Sequence, residues 1–392
     1  MIVRKAVINN FRDALNLVRK TGSDKFAHKL LAKKAVFIPV VFENIDNRAA
    51  NILKQEALSC GADVSVSENV SRFKKGFSNA ALFATINQLE KLENKFGFQP
   101  FGLKEAAARI AEIKKSLLTE KKVWKYKKSF IDLSSPAVMG IINLDPKSFS
   151  GDGLADAEKA LQRALEFEEA GARVIDVGAE SSRPGSKPVD AKTEIKRLLP
   201  VLRKIKKSVK IPVSVDTYKY ETAKAAISEG ADIVNDISAL TKGGDKLAKL
   251  IRDSKVGVVL MHMQGMPANM QKAPKYENCV SEVFEFLTKR EEYANSLGIK
   301  DEFIAVDPGI GFGKNTEHNL ELLKNLSVFS SLGAVIGAVS RKGFVRKISG
   351  TDTTSFAAAN LMAACFGADI VRAHDVKETA EALKLLENIR RV

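Results

Sequence analysis

The sequence predicts an α/β protein whose larger part is a (β/α)8 TIM barrel, preceded by a small N-terminal α/β domain. Three observations predict it. First, eight apolar runs begin near Val138, Val174, Pro212, Ile233, Gly257, Phe303, Ala334 and Ile370. Second, each is followed by a helical pattern, near 156–170, 190–207, 219–229, 244–254, 276–296, 315–325, 351–366 and 376–391. Eight such units in about 255 residues match the count and length of a barrel. Third, no Gly-x-Gly-x-x-Gly turn follows the first strand, which favours the barrel over an open doubly wound sheet.

The domain boundary is expected between a 1–128 extension and a 129–392 barrel. Within the extension, Val36–Val40 and Ala81–Ile86 read as strands, from their apolar runs. Asn47–Cys60 reads as a helix closed by Gly61 at its C′ position, and Leu103–Leu118 as a second, amphipathic helix. The charged stretch Lys121–Lys128 reads as the linker, with Trp124 docking it onto a domain.

Composition narrows the function. The chain has 392 residues and a formal charge of +15, and residues 1–130 hold 25 Lys and Arg against 12 Asp and Glu. A basic module can bind nucleic acid, but no basic tract here interleaves with aromatic residues, so nucleic acid is not an expected partner. The charge suits steering of an anionic substrate. Cys60, Cys279 and Cys365 are scattered and odd in number. They suggest neither a disulfide framework nor a metal knot, which fits a reducing compartment. No apolar run is long enough for a membrane span, and the opening Met-Ile-Val-Arg-Lys lacks a signal-peptide core, so a cytoplasmic enzyme is expected.

Most apolar runs end in polar groups, which a barrel gathers on its C-terminal face. The set is Asn143, Glu180, Ser182, Arg183, Asp216, Asn235, His262, Asp307, Lys342, Arg372 and His374. Asp216, Asn235 and Asp307 offer acceptors and an amide to a flat heterocycle rich in N–H groups, such as a pterin or guanine; the competing role is capping of the next helix. Lys342 can donate to a ring oxygen or nitrogen. Arg372 and His374 leave the last strand on alternate positions and so point the same way, as a phosphate clamp would. Asn143 adjoins them once the barrel closes and can offer an oxygen to Mg²⁺ on the same phosphate. No nucleophile elbow or triad is visible, so positioning and leaving-group stabilisation are the expected chemistry.

The barrel segment resembles the dihydropteroate synthases of the pterin-binding (β/α)8 family. The carriers are Met139-Gly140-Ile141-Ile142-Asn143, Pro146, Ser148-Phe149-Ser150 and Glu180-Ser181-Ser182-Arg183-Pro184-Gly185. They continue with Asp216-Thr217-Tyr218-Lys219, Asn235-Asp236-Ile237, Asp307-Pro308-Gly309-Ile310-Gly311-Phe312, Ser340-Arg341-Lys342 and Arg372-Ala373-His374-Asp375-Val376. The resemblance implies condensation of p-aminobenzoate with 6-hydroxymethyl-7,8-dihydropterin pyrophosphate, with Mg²⁺ and with pyrophosphate leaving before the amine attacks. It implies that Asp216, Asn235, Asp307 and Lys342 hold the pterin, with Lys342, Asp216 and Asp307 as the catalytic groups. Asn143, Arg183, Arg372 and His374 would take the pyrophosphate, and Asn143 the metal. Phe149, Ser182, Arg183, Pro184, Phe312 and Lys342 would border p-aminobenzoate. A homodimer is implied as well. This sequence departs from the family pattern at Lys147, Gly151, Asp145 and Asp152 in the first loop, and at Ala179, Ser182 and Gly343. Two other readings stay open: a pterin-dependent methyltransferase serving a corrinoid protein, and a catalytically weak pterin-binding protein.

Overall fold

The computed structural model describes residues 1–119, 122–144, 154–350 and 352–391. It divides into two compact units, Met1–Thr119 and Glu120–Val392. The first contains α1 (Phe11–Lys20), α2 (His28–Ala35), β1 (Phe37–Asp46), α3 (Asn47–Ser59), β2 (Asp63–Val66), α4 (Glu68–Ser71), β3 (Phe77–Thr85), α5 (Ile86–Phe96) and α6 (Leu103–Leu118). Its strands form an antiparallel sheet in the order β1-β3-β2. Val40, Val64 and Leu82 of the sheet meet Leu53, Leu89, Leu92, Phe96 and Ile110 of the helices in one apolar cluster. The helix ending before Gly61 behaves as its sequence predicts: Gly61 takes φ +75° and the Ala62 N–H returns to the Ala57 carbonyl at 2.9 Å. β1 runs further than its apolar stretch suggests, because pairing with β3 continues across an irregularity between Phe42 and Ile45.

The second unit opens with a hairpin, β4 (Val123–Tyr126) and β5 (Ser129–Asp132). The stretch expected to be a linker is therefore part of a folded element. Trp124 is fully buried, and its indole N–H donates to the Phe303 carbonyl at 3.0 Å. The units that follow are β6 (Ala137–Asn143), α7 (Leu154–Glu169), β7 (Val174–Gly178), α8 (Ala191–Ser208), β8 (Val213–Asp216), α9 (Tyr220–Ser228), β9 (Ile233–Asp236) and α10 (Gly244–Ser254). Then come β10 (Gly257–Met261), α11 (Cys279–Ser296), β11 (Ile304–Asp307), α12 (Thr316–Lys324), β12 (Ala334–Gly337), α13 (Gly343–Ser349), α14 (Thr353–Cys365), β13 (Ile370–Ala373) and α15 (Val376–Arg391). The eight strands β6–β13 close in sequence order, β13 pairing with β6, which excludes the open sheet. α13 is an extra short helix that the strand–helix alternation does not reveal. Among the described residues no helix is long and apolar enough to cross a membrane.

Alternation along the strands sorts the interior. Val138, Val177, Val215, Val234, Val258, Val306, Val335 and Val371 face the helices. Met139, Val174, Ile233, Val259, Ala305, Ile336 and Ile370 fill the barrel's lower layer, and Trp124 and Ile131 of the hairpin close it from below. The next inward positions carry Asp176, Asp216, Asn235, Asp307 and Arg372. A polar layer thus rests on a plugged apolar floor. Trp124→Ala is expected to destabilise the protein by about 3–5 kcal/mol through the cavity it leaves and the unpaired carbonyl, measured as a lowered urea midpoint with an unchanged m-value.

Candidate active site

Above the floor opens a cavity of about 840 Å³, lined among others by Asn143, Glu180, Ser182, Arg183, Pro184, Phe312, Lys314, Ser340, Lys342, Arg372 and His374. The structure thus brings eight of the twelve residues expected to bind substrate into one concavity. Asp216, Asn235 and Asp307 lie in the layer beneath it. Phe149, with the rest of the first loop from 145 to 153, lies outside the described residues.

Arg372 organises the base. Its Nε donates to Asp176 Oδ2 at 2.8 Å and its Nη2 reaches Asp216 Oδ2 at 3.1 Å. Asp176 is fully buried and also accepts from Asn235 Nδ2 at 3.0 Å. The sequence assigns Arg372 to the pyrophosphate alone. The structure gives its guanidinium a second duty, charge balance for two inward carboxylates. Asp176 itself was missed: it interrupts the apolar run Val174-Ile175-Asp176-Val177 at an inward position, and that parity is the signal that could have found it.

Burial dominates the electrostatics. It raises the Asp216 carboxyl to about 7; Arg372 opposes the rise, and Asp176 adds to it by like-charge repulsion. Asp307 is raised for the same main reason, and its carboxylate accepts from the Gly309 N–H at 2.7 Å. Burial brings the Lys342 ammonium down to about 8 against the pull of Asp307. Its Nζ lies 4.1 Å from the centre of the Phe312 ring. His374 is held neutral, down to about 3, by burial and by Arg372; its Nδ1 lies 3.3 Å from Ser340 Oγ. Arg341 clamps Asp375 through its Nε at 3.2 Å and Nη2 at 2.5 Å, which anchors the turn after β12 to the end of β13.

The rim is wetter. Arg183 and Pro184 are exposed. Glu180 is engaged by Tyr218, whose hydroxyl donates at 2.9 Å, and by the Lys219 ammonium. Lys219 also meets the buried Glu194 at 2.7 Å. His262, expected only as a rim residue, is buried and bonded to Lys314 at 2.9 Å.

Among the described residues no group of three or more His, Cys, Asp or Glu side chains could hold a metal ion. The one oxygen donor expected for a metal is the Asn143 amide, at the exposed end of β6. A single neutral oxygen suits a hard ion that keeps its waters and arrives with substrate phosphates, as Mg²⁺ does.

Comparison with known proteins fits this geometry. A family model described as pterin binding enzyme matches residues 139–374. The bifunctional dihydropteroate synthase/dihydropteroate reductase of Helicobacter pylori is 34% identical over 388 residues, covering 96% of this chain and 97% of that protein. Escherichia coli dihydropteroate synthase is 39% identical over 267 residues, covering 66% of this chain and 93% of its own. A solved structure of Xanthomonas albilineans dihydropteroate synthase with 4-aminobenzoic acid superposes with a TM-score of 0.64 at 36% identity, covering 69% of this chain and 99% of that one.

The raised Asp216 predicts a pH dependence of stability. A carboxyl whose folded pKa exceeds its unfolded value stabilises the fold fully below about 4, and that contribution is lost as pH rises through about 7. The stability of the wild type relative to Asp216→Asn is therefore expected to fall between pH 5 and 7, by up to about 1.4 kcal/mol per pH unit. Urea unfolding at several pH values checks this.

Proposed function

We infer the activity from one premise: the chain belongs to the pterin-binding enzyme family, as one of its dihydropteroate synthases. It joins p-aminobenzoate to 6-hydroxymethyl-7,8-dihydropterin pyrophosphate, giving 7,8-dihydropteroate and pyrophosphate in folate biosynthesis. The observation that carries this reading is the buried layer of Asp216, Asn235 and Asp307 beside Lys342. Those groups complement the amino, ring N–H and carbonyl edge of a pterin or a similar purine-like heterocycle.

In the mechanism we propose, the pterin lies flat over this layer, with Asp216 and Asp307 accepting its N–H groups and Lys342 donating to its ring. Asn143, Arg183, Arg372 and His374 hold the pyrophosphate. Mg²⁺, when bound, would take an oxygen from Asn143 and neutralise charge on the departing phosphates. The exocyclic carbon–oxygen bond breaks first, and pyrophosphate carries away the electron pair. The carboxylates below then favour the cationic pterin methylene over its neutral precursor. The aromatic amine, held by Ser182, Arg183, Pro184, Phe312 and Lys342, adds its nitrogen lone pair to that carbon and loses a proton. None of these steps needs a covalent nucleophile. A cytoplasmic homodimer belongs to the same proposal, by analogy with the family.

A second reading concerns the extension. The Helicobacter pylori relative aligns across nearly the whole chain, first unit included, whereas the Escherichia coli synthase aligns over 66% of it. The first unit is therefore shared with a protein that is named for a reductase activity too. We propose that this chain also reduces dihydropteroate, taking hydride from a reduced nicotinamide or flavin. Incubating the full chain with dihydropteroate and either donor should give tetrahydropteroate; its absence with both overturns this reading.

For the synthase, both substrates with Mg²⁺ should yield dihydropteroate and free pyrophosphate in equal amounts. A folded preparation that binds pterin without turnover refutes it and leaves the pterin-binding protein; methyl transfer to a corrinoid protein would instead support the methyltransferase. Lys342→Ala and Asp216→Ala should each lower kcat/KM at least about tenfold, or about 1.4 kcal/mol. Near-normal kinetics in both would reject the assigned site.

A further inference from the structure

The segment Gly311-Phe312-Gly313 carries three consecutive backbone carbonyls, and each accepts from a different side chain. Gln271 Nε2 donates to the Gly311 carbonyl at 2.8 Å, Lys314 Nζ to that of Phe312 at 3.0 Å, and the Tyr276 hydroxyl to that of Gly313 at 3.0 Å. Lys314 is buried, 2% exposed, and its Nζ makes a second bond, to His262 Nδ1 at 2.9 Å. Burial keeps His262 neutral, so its ring nitrogen can accept. His262, Gln271 and Tyr276 all belong to the segment between β10 and α11. The same segment reaches the other side of the cavity, where the Gly185 N–H donates to the Pro267 carbonyl at 2.8 Å.

The Gly-Phe-Gly stretch needs such an external tie. Gly311 and Gly313 sit at φ +85° and +63°, and a Cβ on Gly313 would lie 2.4 Å from the Gln264 carbonyl oxygen. The backbone is thus threaded against the β10–α11 segment in a conformation that flexible residues do not hold by themselves. Burial of a lysine costs stability unless its donors are used, and both hydrogens of a neutral amine are used here. Burial brings Lys314 down to about 7, and Lys342 adds like-charge repulsion, so the two bonds persist whether Lys314 is an amine or an ammonium.

We propose that the β10–α11 segment is a clasp that sets the fit of the aromatic amine by fixing Phe312, with Lys314 as its positioning residue. The inference rests on the synthase reading, in which Phe312 borders p-aminobenzoate. The clasp meets the pterin groups only at the Asp307 backbone, where the His262 N–H donates to its carbonyl at 3.0 Å, and makes no hydrogen bond to the side chains of Asp216, Asn235 or Asp307, so loosening the Lys314 and Tyr276 bonds should act on one substrate.

Steady-state kinetics with both substrates varied tests this. Lys314→Met, which keeps the length and removes both bonds, should raise the KM for p-aminobenzoate at least about tenfold. The KM for the pterin pyrophosphate should stay within about twofold. Tyr276→Phe, which removes one hydroxyl and is the safer variant for folding, should raise the p-aminobenzoate KM about fivefold. A p-aminobenzoate KM within about twofold of wild type in Tyr276→Phe overturns the proposal, as does a parallel rise of both KM values in either folded variant. If the wild type itself gives no turnover, the synthase reading fails and takes this inference with it.

Discussion

Arg372 places a permanent cation between Asp176 and Asp216 in the inward layer of the barrel, and the rest of the mouth is arranged around that contact. Two carboxylates at this depth would repel each other, and burial raises that of Asp216. A guanidinium cannot give up its proton and presents several donors in a fixed plane. It lowers the cost of both acids while leaving Asp216 high enough to respond to a ligand near neutral pH. Asn235 then finds its acceptor on Asp176, and burial still lowers Lys342 to about 8 despite the pull of Asp307 and Asp216. Buried ion pairs are weak evidence of stability. Here the pairing serves to hold acceptors ready in a dry setting.

This arrangement explains why the site needs no nucleophile. Four polar groups of the base lock together across different strands: Asp176 from β7, Asp216 from β8, Asn235 from β9 and Arg372 from β13, while Asp307 is held by the Gly309 N–H of its own loop. A layer fixed in this way has little reorganisation left when charge develops above it. The rim behaves differently, since Arg183 and Pro184 are exposed and Glu180 is shared between Tyr218 and Lys219. A base of interlocked buried charges thus sits beneath a rim that is exposed at Arg183 and Pro184.

Much of this was legible in the sequence, and the failures have physical causes. The starts of all eight barrel strands fall within one residue of the apolar runs, because strands covered on both faces read as continuous hydrophobic stretches. The site residues at strand ends were visible for the same reason, as polar stops on apolar runs. Asp176 escaped because it sits one turn of alternation deeper, inside a run rather than at its end. Lys314 escaped because a lysine next to glycines in a loop reads as a solvated charge, and only the fold buries it against His262. The hairpin escaped because its lysines masked the Trp124-x-Tyr126 alternation that packs against the barrel floor; the fold pairs Lys122 with Asp369, Lys125 with Glu302 and Lys127 with Asp232.

The plugged floor makes the barrel a vessel with one doorway. Trp124 and Ile131 seal the lower end, so whatever occupies the bottom layer has to arrive and depart past whatever sits at the rim. Asp216, Asn235 and Asp307 lie deep, and Arg183 and Pro184 lie at the exposed rim. Under the proposed synthase reading traffic would be a queue: the pterin would enter ahead of the amine, and the joined product, spanning both depths, would withdraw as one piece by the way its parts came in.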